Sequence, residues 1–253
     1  MIPTLRILIV TTIQYPDARL WEGDVQNAYT TADIVRDVLI YYPDGKHPNS
    51  PTRSCLRLLK ALYGVADSGK AFYDEWIAFH ISIGFRATYY DRCYLELYIS
   101  EKEWIRFVFH VDDSIYGQLG RRIWLWYLQK LAEKYTSTII PLSYCLGIEF
   151  DIDYDQGIVK MTQAAQIDKM LRDLGHTDLK PVYGPNSDDQ PTQIIAPHEL
   201  TRNDVINFPM QKYIGHINYL QVSTRPDISR DLKILSKFPT KFGLPHIRWA
   251  KRI

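Results

Sequence analysis

An apolar run that stops at two adjacent acids and then resumes, FVFHVDDSIYG at 107–117, constrains this chain most. Aromatic and β-branched residues on both sides of a polar bend predict strand, tight turn, strand. A buried sheet would hold both carboxylates in one place at that bend. Adjacent carboxylates repel, and each raises the other's pKa unless a cation neutralises them. Hard oxygen donors suit Mg²⁺ or Mn²⁺. A second apolar strand that ends in an acid, WEGDVQNAY, offers Asp24. If the two strands are neighbours, Asp24 and Asp112 could hold two divalent ions about 4 Å apart, the arrangement used for in-line phosphoryl transfer. The plain alternative is a solvated Asp112–Asp113 turn.

The rest of the chain supplies a frame for that hairpin. Leu5, Leu8, Ile9 and Ile13 predict a short opening helix. Residues 19–29 read as extended and lead through Asp24 to Tyr29, while the stretch 41–54, dense in Pro, Asn, Ser and Gly taken together, reads as a loop. A helix is expected from Asp67, its N-cap, with Phe72, Trp76, Phe79 and Ile83 on one face and Gly84 at its end. Residues 93–100 and 103–111 predict strands joined at Glu101 and Lys102, and residues 119–135 a helix. Strands follow over 142–162, turning near Asp155–Gly157. Ile167, Met170, Leu171 and Leu174 then mark a helix stopped by Gly175. Residues 176–208 read as a linker, and the remainder as helices over 213–222, 226–238 and after Pro245. The expected class is α+β, with a sheet covered on one face.

Composition excludes more than it selects. The 253 residues are 46% hydrophobic, enough for a sizeable core, so disorder and coiled coil are poor descriptions of the whole chain. Thirty basic against 29 acidic residues leave a net charge of +1, which by itself announces no nucleic-acid partner. Three scattered cysteines suggest neither a disulfide framework nor a zinc site, and a reducing compartment fits. The apolar opening segment is too short to span a bilayer and lacks the pattern of a secretion signal, so no membrane partner is expected. Asp151, Asp153 and Asp155 resemble a calcium loop only loosely, because Thr162 stands where the bidentate Glu belongs.

The order of motifs gives the hairpin its context. The runs GDVQNAYTTADI, LRLLKALYGVADSGKAFYDEW, FHVDDSIYG, YCLGIEFDIDYDQGIVKMTQAAQIDKMLRDLG, YIGHINYLQVSTRPDI and HIRWAKRI stand in that order along the chain. Together they resemble the reverse transcriptase of copia-type LTR retrotransposons over nearly the whole length. The resemblance implies an α+β palm-type (ferredoxin-like) polymerase domain. Palm and partial fingers would occupy 1–150, a primer-grip and thumb-like segment 151–180, and a helical connection 181–253, truncated before ribonuclease H. It implies RNA-directed DNA synthesis, transferring a nucleotide from a dNTP to a primer 3′-hydroxyl with two Mg²⁺ (or Mn²⁺) ions. Asp24, Asp112 and Asp113 would be the catalytic metal ligands. Val25, Tyr29 and Lys70 would bind the nucleotide, with the Tyr29 ring under the sugar to exclude a 2′-hydroxyl. His110, Leu146 and Gly147 would meet the primer. Expected partners are an RNA or DNA template with primer, dNTP, and other parts of a pol polyprotein. The expected location is a cytoplasmic virus-like particle or the nucleus.

Three departures open a second reading. His110 stands where the family usually has Tyr; Asp67 stands where it has a pocket Gln; and the cationic fingers segment that precedes the opening helix is missing. Lys70 keeps its cation. The alternative expectation is therefore a fragment or decayed copy of a polyprotein that at most binds nucleic acid. Tyr29 could equally be a core aromatic on a strand, and His110 a histidine packed at a strand end. From Arg225 onward eight basic residues face two acidic ones, which suggests either phosphate contact or a solvated helix face.

Overall fold

The computed structural model describes residues 2–42, 55–176 and 202–253, and the linker expected over 176–208 lies mostly outside them. It is a mixed α/β structure whose sheet pairings are antiparallel. The chain divides into two compact units, Met1–Leu146 with Asp151–Val159, and Gly147–Phe150 with Lys160–Ile253.

The first unit is built on a six-stranded sheet. Its strands are β1 (Arg19–Val25), β4 (Arg86–Ala87), β5 (Tyr94–Ser100), β6 (Glu103–His110), β7 (Asp113–Leu119) and β8 (Ser137–Pro141), in the order β4-β5-β6-β7-β1-β8. A two-stranded ribbon, β2 (Leu39–Tyr41) with β3 (Cys55–Arg57), stands apart. Tyr41 of the expected 41–54 loop therefore belongs to a strand, and residues 43–54 of it lie outside the described residues. Strand β8 has no counterpart among the expected elements, although its sequence, STIIP, is mostly β-branched.

Alternation along β7 separates the faces. Tyr116 turns toward helices α3 (Ser68–Ser82) and α4 (Arg121–Ala132), where Phe72, Trp76, Trp124 and Tyr127 join Phe107 and Phe109 in one aromatic core. Gly117 turns the other way, toward helix α1 (Ile2–Ile13): a Cβ there would fall 2.1 Å from Thr12 Oγ1. The sheet is thus covered on both faces, not on one as the sequence suggested. The buried stripe of α1 is Leu5, Leu8, Ile9 and Thr12, because seven residues after Leu5 is Thr12 and not Ile13.

His80 sits inside the aromatic core, fully buried. Its Nδ1 donates to the Trp76 carbonyl (2.8 Å), and its Nε2 accepts from the Tyr127 hydroxyl (3.0 Å), which lies 3.2 Å from the Tyr116 hydroxyl. Burial holds the ring neutral and lowers its pKa to about 3.

The chain leaves the first unit through the short strands β9 (Tyr144–Cys145), β10 (Ile148–Asp153) and β11 (Ile158–Thr162). The second unit carries α5 (Ala164–Asp173), a helical turn α6 (Asn203–Ile206), α7 (Met210–Ser223), α8 (Ser229–Leu235) and α9 (Leu244–Arg252). Tyr213, Ile217 and Leu220 on α7 meet Leu232 and Leu235 of α8 and Ile247 and Trp249 of α9 in its core. Residues 203–206 were expected as linker and form the α6 turn, with Val205 buried in that core.

Candidate active site

Strands β6 and β7 form the expected hairpin, closed by the pair His110–Asp113 with Val111 and Asp112 at the bend. Val111 has φ +60°. A first turn residue with positive φ is the mark of a hairpin turn that normally takes glycine, and a β-branched residue there is strained. Only three described non-glycine residues have positive φ: Asn27, Val111 and Leu146. Asn27 follows Asp24 by three positions, Val111 precedes Asp112, and Leu146 lies in the run expected to meet a primer. Strain of this kind concentrates where a backbone must serve something other than its own stability.

Strand β1 lies beside β7, and Asp24 stands directly opposite Asp113. The Val25 N–H donates to the Asp112 carbonyl (3.3 Å), which ties the end of β1 to the bend. Sequence motifs 89 positions apart, at Asp24 and Asp113, therefore share one strand pair. Gly23 makes the close approach possible, because a Cβ there would stand 2.8 Å from the Tyr116 ring.

The electrostatics match the geometry. Burial raises the Asp24 pKa, and the Asp112 charge raises it further. Burial also raises that of Asp113, as do the charges of Asp112, Asp24 and Glu22, while His110 opposes them. The acids are thus close enough to repel, and a cation among them would relieve that repulsion. Among the described residues no three Asp, Glu, His or Cys are grouped as a ready metal cage. That is compatible with Mg²⁺, which takes one or two carboxylates and completes its octahedron with water and substrate phosphate.

Tyr29 is not on an extended segment as expected. β1 ends at Val25, Asn27 takes a left-handed conformation, and residues Ala28–Thr31 form the helical turn α2. The Tyr29 ring is half-buried, 4.5 Å from the ring of Tyr63 and 6.5 Å from that of Phe72. Its hydroxyl lies near Gly69 at the start of α3. Lys70 is exposed and paired with Asp74 one turn along its own helix. Asp67 is at the N-cap position, but its carboxylate pairs with Arg36 and makes no capping bond. His110 is exposed beside Asp113. Leu146 and Gly147 are consecutive left-handed residues, with φ +52° and +69°. Gly147 belongs to the second unit, where it faces Gln166 and Tyr219.

Two residues passed over in the sequence belong to this region. Tyr63 is half-exposed against Tyr29, and its pKa is raised by burial and then by the Asp112, Tyr29 and Asp24 charges. It lay in plain view inside the run KALYG. Glu22 shares the Asp24 face of β1, and its Oε2 accepts from the Ser143 and Tyr144 N–H groups (2.8 Å each). A cavity of about 90 Å³ beneath the acids is lined by Glu22, Gly23, Asp24, Asp113, Tyr144 and Cys145, among others. Burial pushes the Cys145 thiol up to about 12.

A family model described as reverse transcriptase (RNA-dependent DNA polymerase) matches residues 2–188. The chain is 22% identical over 242 residues to the retrovirus-related Pol polyprotein from transposon TNT 1-94 of Nicotiana tabacum, covering 93% of this chain and 18% of that protein. It is 26% identical over 231 residues to the retrovirus-related Pol polyprotein from transposon RE1 of Arabidopsis thaliana, covering 91% of this chain and 15% of that protein. The chain thus spans less than a fifth of these relatives. Among the described residues no helix is long and apolar enough to cross a membrane.

Proposed function

The chain belongs to the reverse transcriptase (RNA-dependent DNA polymerase) family, as found in copia-type retrotransposons, and on that premise we propose that its first unit carries a palm whose acids serve RNA-directed DNA synthesis. The observation that carries this reading is the placement of Asp24 opposite Asp113, with Asp112 at the adjoining bend. Asp24 and Asp112 would hold two Mg²⁺ (or Mn²⁺) ions, with Asp113 in support. When bound, such ions supply activation of the primer 3′-hydroxyl and neutralisation of the triphosphate and leaving pyrophosphate.

The remaining work falls to the chain itself. The Tyr29 ring, held by Tyr63 and Phe72, would lie under the sugar and exclude a 2′-hydroxyl. The Val25 amide is taken by the Asp112 carbonyl, so its role is to hold the bend against β1. Lys70 reaches a triphosphate by exchanging Asp74 for it. His110, beside Asp113, lowers the negative field where the primer terminus enters, and Leu146 and Gly147 would guide the primer backbone. Partners in this reading are a template with primer, dNTP, and other segments of a Pol polyprotein.

A second reading has its own observation. Lys70, the cation expected to meet the nucleotide, is already paired with Asp74, and Asp67, where the family has a pocket Gln, is paired with Arg36. In that case the chain is a non-catalytic remnant that binds nucleic acid. Primer extension on poly(rA)/oligo(dT) with Mg²⁺ separates the two. Incorporation that disappears in Asp112→Asn supports the polymerase; metal-independent binding without incorporation supports the remnant.

A further inference from the structure

On the sheet face opposite the acids, the first unit has a groove of about 430 Å³, within the size range of small-molecule sites. Trp21 of β1, Ile139 of β8, and Trp124, Leu125 and Leu128 of α4 form its apolar walls. The two indoles stack on each other with centroids 5.5 Å apart, and Leu125 is left half-exposed.

Gln118 of β7 closes the groove. It is only 7% exposed, and its Oε1 has no hydrogen-bond partner among the described residues. Trp21 Nε1 is a buried donor in the same condition. Gln118 and Trp21 both line the groove, and a buried acceptor and donor left unpaired each carry a desolvation cost that a partner would remove. The rim adds charge. Arg121 opens α4, whose first turn holds no acid, so the positive end of the helix and the guanidinium reinforce each other; Arg122 beside it is taken by Glu103 (2.7 Å). Asp17 stands on the same rim and can accept from an amine or a hydroxyl.

We propose that this groove binds a nucleotide, either free or as a base of a single strand, without divalent metal and without the acids. A planar base fits the apolar walls. Its amine or imino N–H satisfies Gln118 Oε1, and a ring nitrogen or carbonyl satisfies Trp21 Nε1. The phosphate meets Arg121 and the α4 N-terminus, and Asp17 accepts from a ribose hydroxyl. The proposal stands whether or not the chain polymerises.

Tryptophan fluorescence of the full chain, titrated in EDTA with adenosine 5′-monophosphate, tests it. Quenching is expected in the native chain and equally in Asp112→Asn. Gln118→Leu removes an unpartnered acceptor, so it keeps or raises its melting temperature while weakening nucleotide binding about tenfold. Arg121→Ala weakens the nucleotide about tenfold and leaves adenosine unchanged. Tighter binding of a deoxyadenylate pentamer, with the same sensitivity to Gln118→Leu, identifies a single strand as the source; weaker or equal binding identifies the free nucleotide. No quenching at millimolar nucleotide overturns the proposal. So does binding that requires Mg²⁺, or binding that survives both groove variants.

Discussion

The two faces of one sheet treat ionisable groups in opposite ways. On the α1 face, Asp24 and Asp113 stand opposite each other with Asp112 at the bend, and their mutual repulsion is left standing. On the α3–α4 face, His80 is surrounded by rings, fully hydrogen-bonded and kept neutral. The buried histidine is solved from within the fold. The acids keep a repulsion that His110 alone offsets in part. A close ionisable group therefore points to function only when the fold leaves it unsatisfied.

Three experiments sharpen or break that contrast. The largest effect belongs to the acids: Asp24→Asn is expected to lower Mg²⁺-dependent primer extension at least a hundredfold while raising the melting temperature, because one repelling charge is gone. A parallel loss of activity and stability would mean that Asp24 is structural.

Second, acid should move the two faces in opposite directions. The His80 pKa is near 3 in the fold and near 6.5 in the unfolded chain. Its neutral form therefore contributes full stability above pH 6.5, and that contribution falls as pH drops toward 3. At pH 4.5 roughly 2–3 kcal/mol should be lost. Asp24 and Asp113 have raised pKa values, so the cost of their charge is relieved on acidification through the carboxylate range. Urea melts across pH 4–7 should show a decline in the native chain. His80→Phe, less stable at pH 7 for want of its hydrogen bonds, should flatten that decline. An unchanged slope would remove His80 as the cause.

Third and smallest, Val111→Gly should stabilise the fold by about 1 kcal/mol by releasing positive-φ strain. It should slow primer extension several-fold, as Asp112 loses its fixed direction. Higher stability with unaltered extension would show the strain to be incidental.

Much of the acid hairpin was legible. The apolar run breaks at Asp112 and Asp113 and resumes at once. The stop residues Gly84 and Gly175 were legible for the same local reason, and both have positive φ. Partners distant in sequence were harder to read. Strand β8 is five residues long and gains its identity from pairing with β1, which no local pattern records. Tyr29 follows β1 without a glycine or proline to mark the break; Asn27, a residue that tolerates the left-handed step, was the one local sign of it. His80 reads as one polar residue in a helix; only the approach of Tyr127, 47 positions away, makes it a core group. The bend residue Val111 reads as strand, because glycine was the expected signal there.

The Asp24–Asp113 pairing also has a bearing on how the chain assembles. Asp112 and Asp113 sit in a hairpin whose strands are adjacent in sequence, so that part can close quickly and locally. Asp24 must arrive from 89 positions upstream, at the larger loop-closure cost of that separation. The carboxylates therefore confront one another only as β1 docks. A divalent cation present at that moment would act on the last step of folding, holding the strand in place after it arrives. Its mark would be slower unfolding with little change in the rate of collapse.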